Sequence, residues 1–250
     1  MTTRKIVAVM GDQHANFRFG LCNPETILDE GDEKIRPSLT YHQKTLWQFY
    51  KEDRESLRKL AGSDEIVFFN LGELCHGFRF KSELVSTYPV NQYKIAVANL
   101  ESLLDMPNIK HVRLLKGTAS HEDGPGSAAS TVGDMLQLKY KKKDIRVRYH
   151  FKTDVDGIDF DYAHHGPGPG IRDWLSGNVL VLYAQSIADK LLKEGKNPPG
   201  AILRSHFHQY RLRISSRWAR GKLGIRGASL CRAIPTLRTT RGRLPSRPLP

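Results

Sequence analysis

With 250 residues, 39% of them apolar, the chain is long enough for one domain with a sizeable core, and its composition excludes an intrinsically disordered protein. No apolar run approaches the roughly 20 residues of a membrane span, and residues 1–10 read as a strand without a signal peptide's cleavage region, so a cytoplasmic protein with no membrane partner is expected. Cys22, Cys75 and Cys231 are odd in number, widely spaced and form no CxxC pair, which points to reduced structural thiols rather than a disulfide framework or a thiolate zinc site.

The net charge of +13 matters less than its placement. Residues 211–250 hold ten Arg, one Lys and no Asp or Glu, which leaves only +2 for residues 1–210. The expected organisation is therefore a folded body over 1–210 and an Arg-rich tail over 211–250 with little packed structure.

In chain order, Ile6–Met10 is a short apolar run of the kind buried strands give, and Gly11-Asp12-Gln13-His14 follows it directly. Leu46, Phe49, Tyr50, Leu57 and Leu60 mark a helix; Ile66–Asn70 is a second strand, ending in Leu71-Gly72-Glu73. Ile95, Ala96, Leu100, Leu103 and Leu104 mark a second helix, and His111–Leu115 a third strand, ending in Gly117-Thr118-Ala119-Ser120-His121-Glu122. Two alternating runs, Val147/Tyr149/Phe151 and Ile158/Phe160/Tyr162, predict an antiparallel hairpin turning at Asp156-Gly157 and running into His164-His165-Gly166-Pro167. Leu180, Tyr183, Ala184, Ile187, Ala188 and Leu191 mark a third helix, before a strand at Ala201–Leu203 and Ser205-His206-Phe207-His208. Strands alternating with helices predict a layered α/β domain with mixed sheets.

Each of these strand-end segments is weak alone. Asp suits turns, loop carboxylates are ordinarily solvated, and adjacent histidines on a strand face opposite ways, so only one of His164 and His165 is expected in a given site. His206 and His208 share a face, which suits two imidazoles to neighbouring ions. Five such segments, each terminating a predicted strand, together supply the mixed O and N donors that suit Mn, Fe, Zn or Ni. No GxSxG elbow, Walker P-loop or GxGxxG fingerprint is present.

The order DxH, GD, GNH(D/E), H, GHxH is the signature of the calcineurin-like metallophosphoesterases. Over residues 1–210 the chain resembles it, with Asp12/His14, Gly72-Glu73, Gly117 to His121-Glu122, His164 and His206/His208. The resemblance implies an α/β fold of four layers, an αββα sandwich with mixed sheets. It also implies a two-metal-dependent phosphoester hydrolase in which a metal-bridging hydroxide attacks phosphorus, with phosphodiesters the favoured substrates.

Two divalent cations are implied, Mn first, with Fe, Zn or Ni as alternatives. Asp12, His14 and His208 would hold the first and Glu73 would bridge. Ser120, His164 and His206 would hold the second, His165 replacing His164 if needed, and His121 would stand near the leaving-group oxygen as general acid or charge stabiliser. Glu73 stands where the family usually has Asp. Ser120, or Thr118, takes the place of the ligand Asn, and Ser205 replaces a Gly, a change expected to matter little. Substrate choice, from phosphomonoesters and nucleotides to nucleic acids and phosphoproteins, is expected in loops such as Phe17–Thr40 and Gly124–Ala129.

Two other readings stay open on the sequence. The basic tail would give salt-dependent, sequence-blind affinity for nucleic-acid phosphates, although Trp218 is its only aromatic residue. The departures at Glu73 and Ser120 also allow a catalytically degraded relative, since small displacements of site groups cost about 10²-fold in rate.

Overall fold

A computed structural model describes residues 4–79, 81–122, 124, 127–168 and 176–208. The Arg-rich segment 211–250, with Cys231 and the expected end of the body near Tyr210, lies outside them.

The chain is a mixed α/β protein with parallel and antiparallel sheets and, among the described residues, four α-helices. Strands β1 (Lys5–Met10), β4 (Glu65–Asn70), β5 (Ile109–Leu115) and β6 (Asp144–Arg148) form one wholly parallel sheet in that order. Parallel neighbours need a crossover, and helices α1 (Tyr41–Ala61), α2 (Pro89–Leu104) and α3 (Ser127–Lys139) each lie between two successive strands of this sheet. A second sheet joins β7 (His150–Val155) antiparallel to β8 (Ile158–Ala163), and β8 parallel to β9 (Ala201–Arg204); α4 (Ser176–Lys193) precedes β9. The small hairpin β2 (Leu28–Glu30) and β3 (Glu33–Ile35) lies between β1 and α1.

Local chemistry sets the helix starts. Thr40 and Gln43 form a reciprocal capping box at α1, satisfying two otherwise unpaired amides, and Pro89 opens α2 where its missing N–H costs nothing. Burial divides the core in two. Ile66, Phe68, Ile109, Val112 and Leu114 pack with Tyr50, Leu57, Leu100, Leu104 and Val132 from the helices. Val67, Phe69 and Leu115 pack with Phe151, Phe160 and Tyr162 of the second sheet, the Phe69 and Tyr162 rings stacking at 4.2 Å. Strand β4 is thus covered on both faces, which is why its sequence is a continuous apolar run rather than an alternation.

Three expectations need correction. Val147, Tyr149 and Phe151 do not share a strand: Val147 sits in β6 of the parallel sheet, Phe151 in β7 of the other, and the chain changes sheet at Tyr149. An alternating pattern carries across such a crossing because both flanking strands have period two. The stretch expected to be a loop up to Ala129 already contains the first turn of α3, with Ala128 and Ala129 buried. The Phe17–Thr40 segment holds the β2–β3 hairpin, too short and polar to show in the sequence. The turn at Asp156-Gly157 is as expected, both residues having positive φ, 53° and 80°, as a type I′ hairpin requires. No helix among the described residues is long and apolar enough to cross a membrane.

Candidate metal centre

The predicted site residues lie on the loops that leave β1, β4, β5, β8 and β9. Pairing of β1 with β4 continues past both strands: the amides of Asp12, His14 and Ala15 donate to the carbonyls of Gly72 (3.0 Å), Glu73 (3.0 Å) and Leu74 (2.9 Å). Two chain segments some sixty residues apart are therefore locked in register at the site.

The backbone there departs from ordinary geometry. Of seven described non-glycine residues with positive φ, five are Asp12, His14, Glu73, His206 and His208. Each such residue costs on the order of 1 kcal/mol or more, and clusters of them mark functional sites. Close approach also demands glycine. A Cβ on Gly72, whose φ is +105°, would lie 2.6 Å from Nδ1 of His164, and one on Gly117 would lie 2.8 Å from Cγ of Glu73.

Glu73 is at the centre, 2% exposed. Its Oε2 lies 3.0 Å from Nε2 of His14, and its Oε1 lies 3.0 Å from Nε2 of His164, 3.6 Å from Nδ1 of His206 and 2.9 Å from the Thr118 hydroxyl, which donates to it. Burial alone would raise the Glu73 pKa, but hydrogen bonds and charge from His14 and His164 outweigh it and hold the carboxyl well below the ordinary range. Burial likewise works against a charged His164, and the Glu73 carboxylate outweighs it, so that pKa is raised.

Ligand atoms of Asp12, His14, Glu73 and His208 lie within 4.8 Å of one another, as do those of Glu73, His164 and His206. Glu73 belongs to both groups. His14 and His208 meet Nε2 to Nε2 at 3.1 Å, and Nε2 of His208 lies 3.6 Å from Oδ1 of Asp12. Nδ1–H of His164 donates to the Leu71 carbonyl at 2.7 Å, which turns Nε2 toward Glu73.

The remaining predicted residues are less uniformly placed. Ser120 is exposed and reaches Glu73 only through Thr118, whose hydroxyl is 3.0 Å from its own. His165 is exposed and belongs to neither group, while its neighbour His164 is buried. His121 donates Nδ1–H to the His76 carbonyl and directs Nε2 to within 3.9 Å of Glu73 Oε1. Glu122 is turned away: its carboxylate accepts from the amides of Gly117 (2.6 Å) and Ala129 (2.9 Å), tying the loop to the first turn of α3. Ser205, the residue expected to matter little, donates its hydroxyl to Asp12 Oδ2.

His76 escaped the sequence reading. It is 8% exposed, its ring 5.4 Å from that of His14 and 5.1 Å from that of His121. Burial first, then repulsion from His14 and His121, pushes its pKa down to about 4, so it is neutral through the ordinary pH range. The signal available was its position three residues after Glu73 in the same strand-end loop.

Donor chemistry and an orphaned atom both fit divalent cations. The set mixes carboxylate oxygen with imidazole nitrogen, and Asp12 Oδ1 is buried without a hydrogen-bond partner while Oδ2 is satisfied. Comparison of the chain with protein-family models and with curated proteins returned no match.

Proposed function

We propose that the chain is a two-metal-dependent phosphoester hydrolase of the calcineurin-like metallophosphoesterase kind, a four-layer αββα sandwich acting on phosphodiesters. The observation that carries this reading is Glu73, one buried carboxylate shared by two ligand groups, with Oε2 toward His14 and Oε1 toward His164. For the outermost layer, support comes from α4, whose Tyr183 hydroxyl accepts from Nε of Arg204 on β9 at 3.0 Å.

Asp12, His14 and His208 would hold one cation and His164 and His206 the other, with Glu73 between them and the Thr118 hydroxyl nearer than Ser120. When bound, the pair would supply a water of lowered pKa, polarised phosphoryl oxygens and charge neutralisation for in-line displacement. His121 would be the residue that moves a proton. Its Nδ1–H is committed to the His76 carbonyl, so Nε2, on a side chain that is 22% exposed, is the nitrogen that would protonate a departing oxygen.

Hydrolysis of bis-p-nitrophenyl phosphate and p-nitrophenyl phosphate with added Mn²⁺, comparing the wild type with His208→Ala, tests the reading. The expected result is Mn-dependent turnover, faster on the diester and lost in the variant. A wild type with neither turnover nor bound metal would overturn it, leaving the degraded relative or the basic nucleic-acid binder.

A further inference from the structure

We propose that His76 is a positioning residue that accepts the Nδ1 proton of His14 and thereby fixes Nε2 of His14 on the cation side of the candidate centre. The inference rests on the two-metal reading. His14 presents Nε2 to Glu73 Oε2 at 3.0 Å and to Nε2 of His208 at 3.1 Å. That nitrogen would serve as a ligand only with its lone pair free, so with a cation bound the ring proton would sit on Nδ1. Nδ1 of His14 lies 3.4 Å from Nδ1 of His76. His76 must then carry its own proton on Nε2, which makes no hydrogen bond and has Glu83 Oε2 4.0 Å away.

Three constraints hold His76 in place for this. Its amide donates to the Ala15 carbonyl at 3.0 Å, which ties it to the segment that carries His14. Its ring stacks on Phe17 at 4.2 Å with an interplanar angle of 9°. The His14 ring lies across it at 68°, with the two Nδ1 atoms 3.4 Å apart. His164 and His121 are held in the same way through Nδ1, but by the carbonyls of Leu71 and His76. Metal-ligating imidazoles are ordinarily fixed through the second nitrogen, and His14 has a side chain where the others have backbone.

Ligand atoms of His14, His76 and His121 also lie close enough together to surround an ion. That trio holds no carboxylate, however, and a third dication would sit beside two others with no counter-charge of its own.

The test uses full-length protein stripped with EDTA. Mn²⁺ affinity and stoichiometry are read from the electron paramagnetic resonance of free Mn²⁺ for the wild type, His76→Leu and His76→Asn. Leu keeps packing against Phe17 without an acceptor, whereas Asn keeps an acceptor about where Nδ1 lies. The expected result is binding weakened about 10–100-fold in His76→Leu and largely restored in His76→Asn, with equal melting temperatures for the metal-free proteins. Equal affinity in all three overturns the role of His76 alone. Loss of a whole metal equivalent in both variants makes His76 a ligand and overturns it differently. A wild type that binds no Mn²⁺ overturns the two-metal reading beneath it.

Discussion

The hydroxyl of Ser205 donates to Oδ2 of Asp12 across 193 positions of sequence, while Oδ1 of the same carboxylate is buried with no hydrogen-bond partner. One oxygen is thus satisfied by the protein and the other is left to face the centre. Ser205→Ala should free Oδ2, let the carboxylate rotate, and weaken Mn²⁺ binding about tenfold without changing the fold. Titration of the metal-free protein, with circular dichroism as the control for folding, checks this. Unchanged affinity would mean that the backbone alone orients Asp12.

Glu73 is not a simple stand-in for a shorter carboxylate. Its Cγ lies where Gly117 leaves room, and its two oxygens reach His14 on one side and His164 with Thr118 on the other at 2.9–3.0 Å. Glu73→Asp draws the carboxylate back by one methylene and should break one side of the span. The expected outcome is about one tightly bound Mn²⁺ per chain in place of two, counted by elemental analysis after gel filtration. Two retained ions would show that the loop adjusts to the shorter side chain.

Strand ends were legible because burial on both faces writes continuous apolar runs such as Ile66–Asn70, and polar residues must follow where the sheet stops. The convergence of those ends was legible only through motif order. What the sequence could not carry is conformation: nothing in the letters shows that Asp12, His14, Glu73, His206 and His208 all adopt positive φ. Nor does spacing reveal a partner such as His76, whose role depends on ring planes and on which nitrogen faces which neighbour. The crossing from β6 to β7 was hidden for a related reason, since Val147 and Phe151 keep the same alternation on two different sheets.

Gly72 combines two demands that can be separated. Its φ is +105°, and an added Cβ would lie 2.6 Å from the His164 ring, whereas Gly31 also has positive φ but has nothing within 4 Å. Gly31→Ala should therefore cost only the backbone penalty, on the order of 1 kcal/mol. Gly72→Ala should cost about 1–3 kcal/mol more, because the His164 ring must leave its bond to Leu71. Urea unfolding of the two variants measures the difference, and equal losses would remove His164 crowding as the reason for Gly72.

Asp144 at the start of β6 links stability to pH. Burial works to raise its pKa, but hydrogen bonds from Arg146, Arg113 and His111 outweigh it and hold the carboxyl at about 2, against an ordinary 3.8. A carboxyl depressed in the folded state stabilises it above the unfolded pKa, and that contribution is lost as pH falls through the folded pKa. The wild type should therefore lose stability between about pH 4 and pH 2, where Asp144→Asn should show a shallower loss. At neutral pH the variant should be less stable by about 1–3 kcal/mol, because Nη2 of Arg113, now 2.7 Å from the carboxylate, would keep its charge in a largely buried position. The side chain of Asp144 is 34% exposed, so solvent screening sets the lower end of that range as the expectation. Guanidinium unfolding of both proteins across this pH range decides the matter: parallel acid limbs would show that the bonds to Asp144 contribute geometry to the β5–β6 edge rather than charge.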